Sequence, residues 1–154
     1  VRFVEPENSY EHMYNILEDA EEILQKLELP YRHLELCTGD LGFKATKQID
    51  LEVWAPGTDM DDGPDQGGRW LEVSTVSNFE DFQSRRMNLR FRDNPNEDTR
   101  YLHTLNGSGL ALPRVVIAIL EYYQNEDGTV DVPKPLQNYM NKDKLEPNKK
   151  VDSN

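Results

Sequence analysis

The sequence predicts an α+β domain in which helices flank an antiparallel β-sheet. Apolar residues recur at helical spacing near the start of the chain, and three short strand-like segments then follow one another across turns. Strands and helices do not alternate strictly, as they would in a parallel sheet. The 154 residues are enough for one core of ordinary size, and the sequence shows no repeats and no internal domain boundary before residue 140.

The first elements are a strand end and an amphipathic helix. Residues 1–5 are predicted to end a strand, and Asn8 is the predicted N-cap of the helix, with Glu11 three residues later as in a capping box. The apolar face of this helix consists of Met13, Ile16, Leu17, Ala20, Ile23, Leu24 and Leu27. Pro30 is expected to end the helix because proline has no N–H to donate.

Three strands are predicted after this helix, over residues 31–38, 48–54 and 69–75. In the last of them, alternation places Leu71 and Val73 on one face and Trp70, Glu72 and Ser74 on the other. Residues 56–68 are predicted to form an exposed acidic loop. Its aspartates do not have the spacing of a calcium-binding loop.

Residues 79–91 are predicted to be helical, with Phe82, Met87 and Leu89 as candidate buried positions. The segment carries a dense basic cluster made of Arg85, Arg86, Arg90 and Arg92. A salt-bridged or solvated surface is the simpler interpretation in so acidic a protein, and a phosphate or RNA contact is the alternative.

The stretch HTLNGSGLALPR, residues 103–114, is the most informative local pattern. A fourth strand over residues 100–105 runs into a glycine-punctuated turn and then into the apolar run 115–120, which predicts a buried helix. Such a junction offers backbone N–H groups and a positive dipole end to an anion, and Arg114 adds a full charge. A helix start with an incidental arginine is the alternative. A short strand over 129–132, a segment over 133–140 and a polar, mobile tail over 141–154 complete the prediction.

Composition narrows the classes of function. The net charge of −12 excludes a general nucleic-acid-binding surface, and the single cysteine excludes an internal disulfide framework. No apolar segment approaches membrane-spanning length and no signal-peptide pattern is present, so we expect a soluble, cytoplasmic protein with no membrane partner. The acidity also suggests a source with a high-salt cytoplasm.

Five segments occur in an order that resembles one family: TGDLGF, DLEVW, EVSTVSNFEDFQSRR, HTLNGSGLALPR and VPKPLQNYM. Together they resemble the C-terminal part of the catalytic domain of the seryl-tRNA synthetases, which are class II aminoacyl-tRNA synthetases. The resemblance covers residues 1–140. It implies a class II catalytic fold, with residues 141–154 outside it.

The resemblance implies an ATP site in the segment from Glu72 to Thr75, which includes Val73 and Ser74. Glu72 and Thr75 match an acid and a hydroxyl that contact ATP and its Mg²⁺, and Arg114 matches a catalytic arginine that grips the phosphate tail. A regular strand would place Glu72 and Thr75 on opposite faces. Their convergence on one nucleotide therefore requires a bulge or a strand end near Ser74.

The serine pocket implied by the resemblance includes Asn106 and Ser108. Small polar residues suit a hydroxyl-bearing substrate, because a site that hydrogen-bonds a hydroxyl rejects analogues lacking it.

The implied activity is that of a serine–tRNA ligase. Serine is activated with ATP to seryl-adenylate and then transferred to tRNA(Ser), by an enzyme that is a homodimer when intact. The first class II motif and most of the second would precede residue 1, so we expect this chain to be a piece that is inactive by itself. Two alternatives stay open: a synthetase-like paralogue that charges a carrier protein, and a catalytically silent binding or dimerisation module.

Overall fold

The computed structural model describes residues 1–57 and 67–147. Its strands are β1 (Arg2–Val4), β2 (Tyr31–Glu35), β3 (Lys47–Ala55), β4 (Arg69–Asn78), β5 (Arg90–Phe91), β6 (Arg100–Tyr101), β7 (His103–Gly107), β8 (Val130–Asp131) and β9 (Lys144–Leu145). Its helices are α1 (Ser9–Lys26), α2 (Phe82–Met87), α3 (Leu112–Tyr122) and α4 (Lys134–Met140), with a 3-10 turn over Pro6–Asn8.

A five-stranded sheet in the order β1-β7-β4-β3-β2 organises the fold, and every neighbouring pair in it is antiparallel. The pairs β5-β6 and β8-β9 are separate two-stranded sheets. Helices α1 and α3 pack on one face of the large sheet and share its apolar core. This arrangement confirms the predicted α+β class.

The predicted apolar face of α1 forms one side of that core. Met13 and Leu24 are fully buried, whereas Ile23 at the edge of the face is 43% exposed. The predicted capping box is wrong: Asn8 occupies the N-cap position but its side chain caps nothing, because the preceding 3-10 turn already leads into the helix. The helix ends at Lys26, earlier than the proline would require. Glu28 follows in the left-handed region with φ 54°, which a continuing helix cannot contain.

The helix predicted over residues 79–91 is wrong in its extent. β4 continues to Asn78, and α2 occupies only Phe82–Met87. Asn88 then adopts φ 54° and donates its N–H to the carbonyls of the last turn, which ends the helix before β5. Met87 is 56% exposed, so its predicted burial is also wrong.

Helix α3 is only half buried, in contrast to the buried helix that its apolar run predicts. Val115 and Ala118 face the sheet, while Val116 and Leu120 are exposed. An 11-residue helix lying on a sheet buries one stripe, whatever the composition of its other side.

Two further boundaries differ from the prediction. The strand predicted over 100–105 is split at Leu102 between β6 and β7, which belong to different sheets. The predicted tail is paired at its start, where β9 joins β8, so regular structure extends beyond residue 140. Residues 148–154 and most of the acidic loop, including Asp59, Asp61, Asp62 and Asp65, lie outside the described residues. None of the helices described over 1–57 and 67–147 has the length and apolarity needed to cross a membrane.

Candidate active site

The face of the large sheet turned away from α1 and α3 is polar. The antiparallel register places Asp50 opposite Thr75, and Glu52 opposite Glu72, across β3 and β4. Asn106 on β7 lies opposite Ser77 on β4, on the same face. Three neighbouring strands thus contribute acidic, hydroxyl and amide side chains to one surface.

A β-bulge brings Glu72 and Thr75 to this surface together. Leu51 pairs with Ser74 but the next residue, Glu52, pairs with Glu72, so Val73 is the extra residue in β4. The side chains of Glu72 and Thr75 are consequently in contact, and the Thr75 hydroxyl donates a hydrogen bond of 2.8 Å to Glu72 Oε1. The bulge that the spacing of these two residues required is present.

The same bulge turns Ser74 away from Glu72, so the alternation predicted for Ser74 is wrong. Its side chain is 2% exposed and its hydroxyl donates to the Ser108 carbonyl at 2.8 Å. Val73 is also buried, and its carbonyl accepts the Ala111 N–H at 2.6 Å. These two residues anchor the turn before α3, and their side chains do not lie on the polar face.

Arg114 and Glu72 lie side by side at the edge of β4. Arg114 Nη1 donates to the Glu72 backbone carbonyl and lies 3.9 Å from Glu72 Oε1. Each side chain is 48% exposed, and both border an open groove that also includes Trp70 and Ile117. An ion pair this exposed contributes little to stability and can exchange its partners for a ligand.

The positive charge at this junction comes from the Arg114 side chain more than from the helix amides. Pro113 has no N–H, and the amides of Arg114 and Val115 both donate to the Ala111 carbonyl. The first turn of α3 therefore offers fewer free amides than the sequence pattern suggests.

Asn106 and Ser108 are both exposed, and Asn106 lies opposite Ser77, two residues along β4 from Thr75. The Ser108 N–H donates to the Thr75 carbonyl at 3.3 Å, which fixes the turn against β4. Gly107 stands between them and faces α1. A Cβ at this position would lie 2.6 Å from Ile16 Cγ2, so the close approach of strand and helix requires glycine.

Asp50 and the pair formed by Arg32 and Glu52 were not predicted from the sequence as site residues. Burial raises the pKa of Asp50, the neighbouring Thr75 hydroxyl opposes that rise, and repulsion by Glu72 adds to it. Arg32 Nε lies 2.7 Å from Glu52 Oε2, and its guanidinium stacks 4.4 Å above the Trp70 ring. The alternation in DLEVW, which places Asp50 and Glu52 on the face opposite the core, was the available signal.

The arginine cluster does not join this site. Each of its members contacts a neighbouring side chain or carbonyl; the partners of Arg85, Arg86, Arg90 and Arg92 are Asp81, Phe82, Tyr101 and Pro95, in that order. The contacts favour a surface role within the protein.

The oxygen atoms of Glu72 and Thr75 fit a hard divalent cation such as Mg²⁺, which keeps several waters and shares phosphate oxygens. In the described part of the chain, no group of three or more His, Cys, Asp or Glu side chains is spaced to hold a metal ion by itself. One carboxylate and one hydroxyl are compatible with a cation that arrives together with a phosphate ligand.

Comparisons with known proteins show what the chain is similar to. The sequence profile of the tRNA synthetase class II core domain (G, H, P, S and T) matches residues 1–123. The serine–tRNA ligase of Haloarcula marismortui is 65% identical over 140 residues, which are 91% of this chain and 30% of that protein. The serine–tRNA ligase of Halobacterium salinarum is 59% identical over 152 residues, 98% of this chain and 33% of that protein.

Solved structures give the same match. The crystal structure of seryl-tRNA synthetase from Pyrococcus horikoshii complexed with ATP superposes with a TM-score of 0.86 at 44% identity. The superposition covers 96% of this chain and 31% of that one. The chain therefore spans about a third of the length of the proteins it matches.

Proposed function

Because the chain belongs to the class II tRNA synthetase core-domain family, we propose that it supplies part of the catalytic domain of a serine–tRNA ligase. The similarity to serine–tRNA ligases over more than nine-tenths of the chain supports serine as the amino acid. Residues 1–140 are proposed to be the C-terminal portion of that domain. The intact protein would act on serine, ATP and tRNA(Ser) in the cytoplasm, as a homodimer.

The contact between Arg114 and Glu72, with Thr75 joined to Glu72 by the bulge, is the observation that carries this proposal. One cationic group and two side chains that carry oxygen atoms lie together on an exposed part of β4. ATP is the expected occupant, and the Pyrococcus horikoshii relative that superposes on this chain is complexed with ATP.

In the proposed reaction, the serine carboxylate attacks the α-phosphorus of ATP, a bond to the seryl carboxylate forms, and pyrophosphate leaves. Arg114 is proposed to hold the phosphate tail in line for this displacement and to offset its negative charge. Glu72 and Thr75 would hold Mg²⁺, which when bound neutralises phosphate charge. None of these residues needs to form a covalent intermediate.

Asn106 and Ser108 are proposed to contact serine. Both are exposed on or beside the polar face, and the Ser108 backbone is tied to Thr75. This hydrogen bond fixes the spacing between the proposed amino-acid pocket and the proposed phosphate site. A small hydrogen-bonding pocket would discriminate against alanine, because its polar groups would then stay unpaired.

The test is serine-dependent ATP–pyrophosphate exchange by the intact protein. Arg114→Ala should lower the exchange rate by on the order of 10²-fold, the usual effect of losing one charge-stabilising donor. Arg92→Ala is the matched control, since Arg92 is exposed and donates to the Pro95 carbonyl in the segment between β5 and β6, outside the five-stranded sheet. Its rate should match that of the wild type.

The outcomes separate the alternatives. Absence of exchange with serine would contradict the enzyme assignment and favour a silent module. Exchange followed by transfer to a carrier protein in place of tRNA would favour the paralogue. Unchanged exchange in Arg114→Ala would refute the assignment of the phosphate site while leaving the family intact.

A further inference from the structure

Asp50 is a buried carboxylate beside the Glu72–Thr75 pair. Its side chain is 7% exposed, and among residues 1–57 and 67–147 its Oδ1 atom has no hydrogen-bond partner. The register places it directly opposite Thr75, on the same face of the sheet. Side chains of such cross-strand pairs are immediate neighbours, with Cβ atoms about 4.5–5.5 Å apart.

Two arginine side chains on this face lie against acidic residues other than Asp50. Arg32 pairs with Glu52, and Arg114 lies against Glu72. Within the described part of the chain, no ion pair involves Asp50. A buried carboxylate without a cation opposes folding. The position is therefore better explained by a partner that arrives with a ligand than by a structural role.

The single proton of the Thr75 hydroxyl links Asp50 to the proposed cation site. A threonine hydroxyl has one proton, and here it is donated to Glu72 Oε1. A cation held by Glu72 and Thr75 needs that carboxylate oxygen and a lone pair of that hydroxyl. The proton must then be donated to a different acceptor, and Asp50, across the strand pair, has an unused oxygen.

We propose that Asp50 is a positioning residue for the cation site, and that it accepts the hydrogen bond of the Thr75 hydroxyl when the cation binds. This transfer leaves both Glu72 oxygens and a Thr75 lone pair directed at the cation. The inference rests on the proposed function only in that Glu72 and Thr75 hold a divalent cation with the nucleotide.

The test measures binding of Mn²⁺ to the intact protein in the presence of a non-hydrolysable ATP analogue, by electron paramagnetic resonance. Asp50→Asn should weaken Mn²⁺ binding by about 10-fold, the lower end of what outer-shell partners contribute. Thr75→Val should weaken it as well. The double variant should bind Mn²⁺ no more weakly than the weaker-binding single variant, because both substitutions remove the same hydrogen bond.

Glu35→Gln is the matched control. Glu35 is an exposed acid on β2 that pairs with Lys47 at 3.0 Å, so its loss should leave Mn²⁺ binding unchanged. The melting temperature of Asp50→Asn without cation should equal or exceed that of the wild type, because an unpaired buried charge is removed. Thr75→Ser keeps the hydroxyl and should bind Mn²⁺ more tightly than Thr75→Val.

Unchanged Mn²⁺ affinity in Asp50→Asn would overturn the inference. A fold-loss of affinity in the double variant equal to the product of the two single fold-losses would overturn it as well. A lower melting temperature or failure of Asp50→Asn to fold would make Asp50 a structural residue and would overturn it too. Serine-dependent exchange is a separate readout. Wild-type protein that binds Mn²⁺ with the analogue but catalyses no exchange would refute the proposed activity and leave the role of Asp50 standing.

Discussion

Gly107→Ala should destabilise the fold by crowding α1 against β7. The added Cβ would lie 2.6 Å from Ile16 Cγ2 and 3.2 Å from Val76 Cγ2, whereas carbon atoms pack best at about 3.5–4.0 Å. Overpacking of this kind costs about 1–3 kcal/mol. The φ of Gly107 is not in the left-handed region, so alanine regains roughly 0.4–1 kcal/mol from the unfolded chain.

The expected net loss is about 1–2 kcal/mol in the free energy of unfolding, measured by urea denaturation. Gly109→Ala is the control, because no atom lies within 4 Å of a Cβ built there and its φ is also not positive. Ile16→Ala removes the clashing methyl. The double variant should therefore lose about 1 kcal/mol less unfolding free energy than the sum of the losses of the two single variants. Equal stability of Gly107→Ala and Gly109→Ala, or simple additivity with Ile16→Ala, would refute the packing argument.

Three other predictions concern the turn, a β-hairpin and the surface charge. Ser74→Ala removes the hydrogen bond to the Ser108 carbonyl and should cost about 1 kcal/mol of unfolding free energy; Ser84→Ala should cost less, since the Ser84 hydroxyl is buried with no hydrogen-bond partner in the described residues. Hydrogen bonds from Thr129 lower the pKa of Asp127. Asp127→Ala should therefore be less stable than the wild type at pH 7, and this difference in stability should vanish as the pH falls through the titration of the carboxyl. A difference that does not depend on pH would contradict this. With a net charge of −12, the melting temperature should rise between 0.1 and about 1 M KCl as repulsion is screened, and a fall would show that attractive pairs dominate.

The fold class could be predicted because its signals are local and periodic. The apolar face of α1 and the alternation along β3 each follow from residue spacing, and the structure buries Met13, Leu24, Leu51 and Val53 accordingly. The ends of the helices were harder to predict from the sequence. Glu28 and Asn88 both follow their helices in the left-handed region, which asparagine adopts readily but which a glutamate gives no local reason to predict.

The candidate site illustrates where alternation is misleading. Glu72 and Thr75 are three residues apart, and the need for a bulge could be inferred only by assuming that they act together. The bulge falls at Val73, which brings Thr75 to the polar face and sends Ser74 into the core. Alternation in DLEVW indicates the face on which Asp50 lies, but its position opposite Thr75 depends on the cross-strand register, which no pattern within one strand contains.

The most direct test of the central claim is a crystal structure of the intact protein with Mn²⁺ and a non-hydrolysable ATP analogue. We expect an anomalous Mn²⁺ peak bonded to the Glu72 carboxylate and the Thr75 hydroxyl, with the phosphate tail against the Arg114 guanidinium. An analogue bound away from the edge of β4, or Mn²⁺ in contact with neither Glu72 nor Thr75, would contradict it.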